Sequence, residues 1–570
     1  MVIHPPGDSA SVRYEEVERQ RIVPLTGRGV SRYRTMRSSY RSGLDTVVVV
    51  RAEVRHWRPG RGEEEATVTT RPHQGLADAD RLEASLREQV LSFGGMERLD
   101  TLVVETRRLI RRLPLADLYS YTFFAGGRDS VVSWSFSLTR PSGTPLLVRD
   151  LGAGSPEPAG RGNWETLRWR GGPVPPVPLL PMARPLRGRT PRVVVATHSP
   201  EQASRVLWGA LRECLSADTA GAGQVLAEAG AASEELRRWT AAKVEYLGSD
   251  WGLYPGYSPR PPRQTLDSRA GVCRDKAVLL AWLLRAAGMD ATLGLSSLSS
   301  QPDPLVGSRS FDHVVTLLRD GAGWRVLDPT YRGVSPYPYE LRGRRCLPLT
   351  PEGSPMVAVP AGGDDTLLVR LSGELQRSGA LRARLLVRAD GAADQVLRSV
   401  ARAVPPELRG EMLALLVGAE PDSSSISCHS PGSVDGPFEV RGSGLWRLPA
   451  SVGEGGAAVV LPGAFDLDRL AGHQMTYAMV DGYLPDTLLP DPPVTLVTEV
   501  AVLLPGRPAS LPEEGRGRLY SRECAMAGDS LRIREVVDLS PPEGPALARE
   551  EVAEAASMCR GPAGRTVVLQ

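Results

Sequence analysis

Two short apolar segments joined by a tight turn constrain the fold more than any other feature of this sequence. Segments 310–319 and 323–328 are rich in Val and Leu, and the Asp-Gly-Ala-Gly sequence at their junction predicts a β-hairpin. The turn is short enough to fix the register, with Arg319 opposite Trp324. A shift of one residue would move every side chain to the other face of the sheet, so the register is a definite prediction.

In that register a histidine and an aspartate lie on the same face of the sheet. His313 and Asp328 become diagonal neighbours roughly 7–8 Å apart at Cα, within reach of an imidazole–carboxylate hydrogen bond. A thiol precedes them at Cys273, in the first turn of an apolar helix that is predicted over 272–287 and ends at Gly288. A helix N-terminus favours the thiolate, and its backbone N–H groups can donate to an oxyanion.

These three side chains together predict an activated nucleophile. We expect Cys273 to attack an acyl carbon, His313 to accept and return the thiol proton, and Asp328 to orient the imidazole. Each residue alone has a commoner structural explanation, since a buried cysteine is usually a small hydrophobe and Asp-Pro usually opens a turn. Their order, and a register that joins two of them, favour catalysis. Such a triad requires neither a metal nor an organic cofactor.

Length and element order predict a multidomain α+β protein. At roughly 150–200 residues per domain, 570 residues suggest about three domains. We expect β-rich, sandwich-like domains over 1–182 and 359–570 and a central α+β domain over 183–358, with a proline-rich linker at 171–181. Helices are predicted at 78–91, 200–215, 233–247, 272–287, 406–417 and 547–559, and further strands at 46–57, 129–138, 365–372, 381–388 and 495–502.

The charge and the cysteine content of the sequence limit the classes of partner and ligand that the protein is expected to bind. The 68 basic and 66 acidic residues are interleaved, giving a net charge of +2 without the basic run that nucleic-acid binding would favour. No apolar stretch approaches the roughly 20 residues of a membrane-spanning helix, so no integral membrane segment is expected. The six cysteines form no C-x-x-C pair, which argues against a zinc site, and Cys524 with Cys559 is the one disulfide considered.

The motifs around the three residues resemble the transglutaminase-like superfamily, whose core is papain-like and α+β. The resemblance rests on Gly-Val-Cys ending at Cys273, Leu-Leu-Arg-Ala-Ala-Gly ending at Gly288, Phe-Asp-His ending at His313, and Leu-Asp-Pro-Thr ending at Thr330. The Arg-Asp-Lys-Ala sequence after the cysteine resembles the sequence found at this position in bacterial proteins in which an N-terminal β domain precedes such a core. Val272 departs from that group, which commonly carries Asp there.

The resemblance implies a thiol acyl-transfer enzyme that acts on protein or peptide substrates through Cys273, His313 and Asp328. Cross-linking of glutamine to an amine and hydrolysis of an amide share one acyl-enzyme, so both stay open. A catalytically silent scaffold whose β domains bind a protein or glycan is the alternative. The resemblance favours an exported protein, whereas the first residues lack the charged and apolar regions of a signal peptide and favour the cytoplasm.

Residues near the triad carry weaker predictions. Trp251 and Tyr254, just upstream of the cysteine, are candidate walls of an acyl-binding groove, with an aromatic surface loop as the equal alternative. Asp275 is expected to be a first-turn helix charge and Lys276 a solvated lysine, rather than functional groups. Asp312 is expected to face solvent, because it points to the side of the sheet opposite the histidine.

Overall fold

The computed structural model describes most of the chain. It covers residues 1–570 except 5–11, 59, 73–85, 114–117, 178–189, 216–219, 248–258, 299–300, 306–310, 362–364, 377, 379, 410–419, 429–431, 433–435, 449, 454–455, 462–486, 489–494, 540–546, 549–550, 552–553, 556, 559–565 and 570. Within the described ranges, no helix has the length and apolar character needed to cross a membrane.

The N-terminal part consists of β-strands with a short helix, α1 (Gly27–Tyr33). Its strands are β1 (Val2–Ile3), β2 (Tyr14–Ile22), β3 (Thr35–Arg41), β4 (Asp45–Arg55), β5 (Glu63–Glu65), β6 (Thr67–Pro72), β7 (Leu86–Ser92), β8 (Thr101–Ile110), β9 (Ser120–Phe124), β10 (Trp134–Pro141), β11 (Leu147–Leu151), β12 (Glu157–Arg161), β13 (Trp164–Gly171) and β14 (Arg192–Ala196). One sheet has the order β12-β13-β10-β1-β2-β8-β4-β5. Two smaller sheets have the orders β11-β14-β9 and β3-β7-β6, so β14, which follows the proline-rich stretch, joins strands that precede it.

Strand predictions in this part are largely confirmed. The strand predicted at 46–57 is β4, and the strand predicted at 129–138 overlaps β10, which begins only at Trp134. Burial alternates along the run of valines at the start of β4, since Val47 is buried and its neighbour Val48 is exposed.

The helix predicted over 78–91 is wrong where the structure describes that segment. Residues 86–91 lie in β7, between β3 and β6, while 78–85 lie outside the described residues. Leu, Arg, Glu and Gln favour helices, but strand pairing outweighs that preference here. Glu88 on β7 is buried, and its carboxylate lies 3.2 Å from the Nε of Arg71 on the neighbouring strand.

The central part places helices before an antiparallel sheet, as the α+β prediction requires. Its helices are α2 (Pro200–Leu215), α3 (Gly223–Ala229), α4 (Ser233–Lys243), α5 (Pro262–Ser268) and α6 (Cys273–Ala286), with 3-10 turns at Ala220–Ala222 and Tyr339–Leu341. Its strands are β15 (Glu245–Tyr246), β16 (Ala270–Gly271), β17 (Ala291–Ser296), β18 (His313–Asp320), β19 (Gly323–Leu327), β20 (Arg345–Pro348) and β21 (Val357–Ala358). The main sheet has the order β19-β18-β17-β20-β21.

Helix α6 forms the centre of this part. From Ala277 to Leu284 it is apolar on all sides, so this stretch can be stable only where protein surrounds it. Leu279, Leu280 and Leu283 are fully buried in the same core cluster as residues of α2, α4 and the sheet. The helix predicted over 272–287 is therefore confirmed to within one residue at each end.

The remaining predictions for the central helices differ in their outcome. The helix predicted at 200–215 is α2. The helix predicted at 233–247 ends at Lys243, because the chain becomes extended and Glu245–Tyr246 pairs in parallel with Ala270–Gly271. That pairing fixes the residues immediately before the start of α6.

The hairpin has the predicted register. Arg319 pairs with Trp324 and Thr316 with Leu327 across β18 and β19. Gly321 in the turn has a φ of 56°, a left-handed conformation that glycine adopts without steric cost. The geometry that brings His313 towards Asp328 therefore follows from the turn.

The C-terminal part is again rich in strands and contains helix α7 (Gly391–Ala403). Its strands are β22 (Thr366–Leu375), β23 (Ala380–Ala389), β24 (Glu420–Cys428), β25 (Phe438–Arg447), β26 (Ala450–Gly453), β27 (Gly456–Val460), β28 (Thr487–Leu488), β29 (Thr495–Leu503), β30 (Pro508–Ser510), β31 (Gly515–Arg516), β32 (Tyr520–Ala527), β33 (Ser530–Asp538), β34 (Leu547–Ala548) and β35 (Thr566–Leu569). The largest sheet has the order β24-β25-β23-β22-β29-β33-β32-β31, and a four-stranded sheet has the order β26-β27-β35-β30.

Predictions for this part hold for strands better than for helices. The strands predicted at 365–372, 381–388 and 495–502 are β22, β23 and β29. Helix α7 was not predicted. Residues 406–409 are helical, but the rest of the helix predicted over 406–417 lies outside the described residues. The helix predicted from residue 547 is wrong at its start, which lies in β34.

Candidate active site

The nucleophile candidate Cys273 is the first residue of α6 and is half-buried, while its neighbours along the helix are buried. The preceding Gly271 has no room for a side chain, since a Cβ there would lie 2.8 Å from the Cβ of Asp275. The chain can therefore enter the helix only by this close approach. The thiol is held at the end of a rigid element, with the first-turn backbone N–H groups around it.

Asp275 caps the start of the nucleophile helix. Its Oδ2 accepts a hydrogen bond from the backbone N–H of Val272 at 3.2 Å, and its Oδ1 accepts one from the backbone N–H of Arg260 at 3.0 Å. The residue is a first-turn charge, as predicted, but it is 1% exposed. Because its two oxygens tie the segment before α5 to the turn before Cys273, this carboxylate fixes the path of the chain on either side of α5.

The prediction of a solvated Lys276 is wrong. The side chain is completely buried, and its Nζ donates to the carbonyl of Val244 at 2.6 Å and lies 3.5 Å from that of Ala241. Burial lowers the pKa of Lys276 to about 8, with the charge of Arg332 acting in the same direction and that of Asp328 opposing it. This ammonium ties the C-terminal end of α4 to the first turn of α6.

The histidine and the aspartate meet across the hairpin as the register predicts. The Nε2 of His313 lies 2.7 Å from the Oδ2 of Asp328, and both side chains are buried, at 2% and 0% exposure. The other ring nitrogen, Nδ1, is left to face a different partner. Cys273 also acts electrostatically on the ring and helps to raise its pKa, so the thiol lies in the neighbourhood of the imidazole.

The second carboxylate oxygen of Asp328 is held by Thr330, which the sequence did not single out as functional. Its Oδ1 accepts hydrogen bonds from the backbone N–H of Thr330 at 2.8 Å and from its Oγ1 at 2.7 Å. An aspartate that bonds the residue two positions later is a common turn, so the Asp-Pro-Thr sequence was the available signal. The carboxylate cannot rotate away from the imidazole without breaking these bonds.

Electrostatics favour an imidazolium–carboxylate pair. Burial acts to lower the pKa of His313, but the charge and hydrogen bond of Asp328, together with Cys273, outweigh it and raise the pKa to about 10. Burial likewise acts to raise the pKa of Asp328, and the charge of His313 with the hydrogen bonds from Thr330 lowers it overall. The imidazole is therefore held in its protonated form at neutral pH.

The other described cysteines lack this environment. Burial alone raises the pKa of Cys346 to about 12, and burial also raises those of Cys214, Cys428 and Cys524. A thiol whose pKa is raised stays protonated and is a poor nucleophile. The thiol at Cys273 differs from these four in facing a histidine.

Several sequence-based candidates lie elsewhere. Trp251, Tyr254 and Cys559 lie outside the described residues, so the acyl groove and the Cys524–Cys559 disulfide stay predictions. Asp312 is exposed, and its carboxylate accepts hydrogen bonds from Leu298 and Ser297. In the part of the chain that the structure describes, no three His, Cys, Asp or Glu side chains converge as a metal ion would require.

Comparisons with known proteins concern the fold of this region. Residues 219–329, which include all three residues, match the family model of the transglutaminase-like superfamily. Among solved structures, a Parabacteroides distasonis protein described as a "putative protease" aligns over 97% of this chain and 95% of that chain, with a TM-score of 0.64 and 14% sequence identity. A Cytophaga hutchinsonii protein described as a "putative cysteine protease" aligns over 38% of this chain and 72% of that chain, with a TM-score of 0.14 and 15% identity.

A search of curated proteins finds no match. At 14% identity the Parabacteroides structure speaks for the fold alone, but it does so over nearly the whole chain. The family match identifies a domain of the transglutaminase-like superfamily at residues 219–329.

Proposed function

We propose that this protein is a thiol-dependent hydrolase of peptide or amide bonds. The observation that carries the proposal is the buried His313–Asp328 pair, whose imidazole also interacts electrostatically with the half-buried thiol of Cys273 at the start of a helix. An imidazolium facing the sulfur of Cys273 is the arrangement of an activated cysteine nucleophile. The shared fold with a Parabacteroides distasonis protein described as a "putative protease" is compatible with this chemistry.

In the proposed reaction, the sulfur of Cys273 attacks the carbonyl carbon after its proton has passed to His313. The carbonyl oxygen gains the electron pair of the C=O π bond, and backbone N–H groups in the first turn of α6 stabilise the charge. When the tetrahedral intermediate collapses, the C–N bond breaks and His313 gives its proton to the leaving amine. Asp328 keeps the ring oriented and stabilises its charged form throughout.

A thioester between Cys273 and the acyl group of the substrate remains. Water then attacks it with His313 as the base, the thiolate leaves, and a carboxylic acid is released. A primary amine in place of water would give transamidation through the same intermediate. The proposal specifies hydrolysis because water is always present, whereas transamidation requires a second substrate.

Labelling tests the nucleophile first. The full-length protein is treated with a limiting amount of a fluorescent iodoacetamide near pH 7, and the modified cysteine is located by peptide mass spectrometry. We expect label on Cys273 well before Cys214, which is also half-buried but has a raised pKa. Equal labelling of the two thiols would support a catalytically silent scaffold instead.

Turnover tests the reaction. A mixed peptide library is incubated with the wild-type protein, Cys273→Ala and Cys214→Ala, with and without a fluorescent primary amine. We expect cleavage by the wild-type protein and by Cys214→Ala and none by Cys273→Ala. Amine incorporation without cleavage would assign acyl transfer to amines, and cleavage that persists in Cys273→Ala would exclude the proposed nucleophile.

A further inference from the structure

The C-terminal end of helix α4 receives cationic side chains from two different elements of the central domain. The backbone carbonyls of Ala241 and Val244 lie at this helix end, and both residues are buried. The Nζ of Lys276 donates to the carbonyl of Val244 at 2.6 Å and lies 3.5 Å from that of Ala241. The Nε of Arg332 donates to the same carbonyl of Ala241 at 2.9 Å. The two side chains therefore meet at one backbone acceptor.

Each of these cations is close in sequence to a member of the triad. Lys276 follows Cys273 by three residues, about one turn along α6. Arg332 follows Asp328 by four residues, in the segment after β19. Lys276 is completely buried, and Arg332 is half-buried. The end of α4 thus links the start of the nucleophile helix to the segment that carries the aspartate.

A third cation fixes that segment to α4 from within the helix. Arg237 is completely buried, and its Nη atoms donate to the backbone carbonyls of Tyr331 at 2.8 Å and Gly333 at 3.0 Å. Its Nε donates to the carboxylate of Glu234 at 2.6 Å. The residues on either side of Arg332 are therefore held, which limits the movement of its guanidinium away from the end of α4.

Lys276 and Asp328 also interact through their charges. Burial, and to a smaller extent the charge of Arg332, lower the pKa of Lys276, and the carboxylate of Asp328 opposes this change. The interaction is reciprocal, so the ammonium favours the ionised form of Asp328. Loss of the ammonium would weaken both the contact with α4 and the charge that stabilises the imidazolium.

Two further hydrogen bonds connect the same elements on the side of the sheet. The Oγ1 of Thr316 on β18 donates to the carbonyl of Ala277 on α6 at 2.9 Å, so the nucleophile helix is held to the strand that begins at His313. The Nε2 of His313 lies 2.7 Å from the Oδ2 of Asp328. With the contacts at the end of α4, these bonds form a closed ring through α6, β18 and the segment after Asp328. Without Lys276 or Arg332 the ring is open.

We propose that Lys276 and Arg332 are positioning residues, which set the distance between the thiol of Cys273 and the His313–Asp328 pair by holding both elements to the end of α4. They act through the triad rather than on the substrate. This role rests on the proposed function, since it concerns the same site. Labelling of Cys273 nevertheless reports the surroundings of the thiol whether or not the protein hydrolyses a substrate.

The pH dependence of labelling tests the positioning role. Full-length wild-type protein, Lys276→Met and Arg332→Gln are treated with iodoacetamide between pH 5 and pH 9, and modification of Cys273 is followed by peptide mass spectrometry. We expect the pH midpoint of labelling to rise by about one unit in each variant, and labelling below the midpoint to slow about tenfold, because a displaced imidazolium stabilises the thiolate less. Lys243→Met is the matched control, since Lys243 is an exposed lysine in the last turn of the same helix, and it should label as the wild-type protein does.

Further measurements separate positioning from stability and from turnover. Where a peptide is cleaved, both variants should lower kcat and leave KM unchanged. A lower free energy of unfolding in urea without a shift of the labelling midpoint would overturn the proposal, because the contacts would then be structural only. If Lys276→Met does not fold, Arg332→Gln decides, and a midpoint equal to that of Lys243→Met would likewise overturn it. A shifted midpoint in a protein that cleaves no peptide would contradict the hydrolase function and support the positioning role.

Discussion

The described part of the chain contains two buried histidine–aspartate pairs, one in the central domain and one in the N-terminal part. His313 Nε2 lies 2.7 Å from Asp328, and His56 Nδ1 lies 3.0 Å from Asp100. The histidine side chains are 2% and 3% exposed, and the aspartates are 0% and 1% exposed. By distance and burial alone the two pairs are nearly equivalent.

They differ in what surrounds the pair. The Nε2 of His56 lies 3.5 Å from the carboxylate of Glu64, and Asp100 accepts backbone N–H bonds from Trp57 and Glu97. That pair joins the end of β4 to the turn before β8, and no thiol is among its hydrogen-bond or ion-pair partners in the described residues. The imidazole of His313 instead interacts electrostatically with the thiol of Cys273 on the first turn of α6. A buried His–Asp pair can therefore have a purely structural role. It becomes a candidate catalytic pair only where a nucleophile lies beside the imidazole.

Replacing each histidine in turn should separate the two pairs most strongly. We expect His313→Gln to lower kcat/KM for peptide cleavage by about 10⁴-fold or more, because the base and the charged partner of the thiol are both lost. His56→Gln should leave kcat/KM of the folded protein unchanged. The initial rates of cleavage by the two variants are compared at equal concentrations of folded protein. Circular dichroism measures the folded fraction of each variant.

The His56→Gln variant also tests whether the His56–Asp100 pair contributes to the stability of the fold. His56→Gln removes a buried hydrogen bond and should lower the free energy of unfolding by about 1–3 kcal/mol. Urea titration followed by tryptophan fluorescence measures this loss. If His56→Gln abolished cleavage while the protein stayed folded, the distinction between the two pairs would fail.

Replacing the aspartates should give the next largest difference. Asp328→Asn keeps the size of the side chain but removes the charge that stabilises the imidazolium, so we expect kcat/KM to fall by about 10²- to 10⁴-fold. Asp100→Asn should change stability only. The ratio of kcat/KM between the two variants is the measurement, and a ratio near one would contradict the assignment of Asp328.

The sequence predicted the candidate triad because its geometry is mostly local. The Asp-Gly-Ala-Gly turn fixes the register of β18 and β19, and the register brings His313 to Asp328. After its charged first turn, the helix that carries Cys273 is apolar from Ala277 to Leu284, so its burial against the sheet follows from the same stretch of chain. Local patterns of this kind need no knowledge of distant segments.

What the sequence missed depends on contacts between distant segments. Lys276 is buried because carbonyls at the end of α4 receive its ammonium, and no pattern near residue 276 indicates that contact. Glu88 lies in a strand because Arg71 on a neighbouring strand neutralises it. Helix α7 was missed for a similar reason, since it packs on β22 and β23 and its N-cap residue, Asp390, makes no side-chain capping hydrogen bond.

The pH dependence of the unfolding free energy should give a smaller effect, which concerns the protonation of His313. The pKa of His313 is raised from 6.5 to about 10, so the folded state holds this proton more tightly than the unfolded state does. Its stabilisation is therefore complete below about pH 6.5 and is lost as the pH rises through about 10. We expect the difference in unfolding free energy between the wild-type protein and His313→Gln to shrink over that window, by at most about 1.4 kcal/mol per pH unit.

Urea titrations of both proteins between pH 6 and pH 10 measure this difference directly. Lys276, whose pKa is lowered to about 8, titrates in the same window, but it is present in both proteins and largely cancels. A difference that stayed constant across the window would mean that the proton on His313 is not held by Asp328. The pH dependence of stability would then give no support for the coupling of His313 to Asp328.

The smallest expected effect concerns how firmly Asp328 is held. Thr330→Val removes the Oγ1 hydrogen bond to Asp328 but leaves the backbone N–H bond in place. We expect kcat/KM to fall by about tenfold, the cost of one hydrogen bond to a charged group. In the N-terminal pair, backbone N–H groups of Glu97 and Trp57 hold the aspartate, so no single side chain plays this role there.

Thr316→Val is the matched control for that variant. Its Oγ1 donates at 2.9 Å to the carbonyl of Ala277 on α6, so both threonines lose one hydrogen bond in the same domain. Only Thr330 contacts the triad, and therefore only Thr330→Val should lower kcat/KM and shift its pH profile, while both variants lose stability. A hydrogen bond that positions Asp328 must act on the reaction through Asp328. Equal losses of kcat/KM in the two variants would therefore show that a general loss of rigidity in the domain, rather than the orientation of Asp328, limits the reaction.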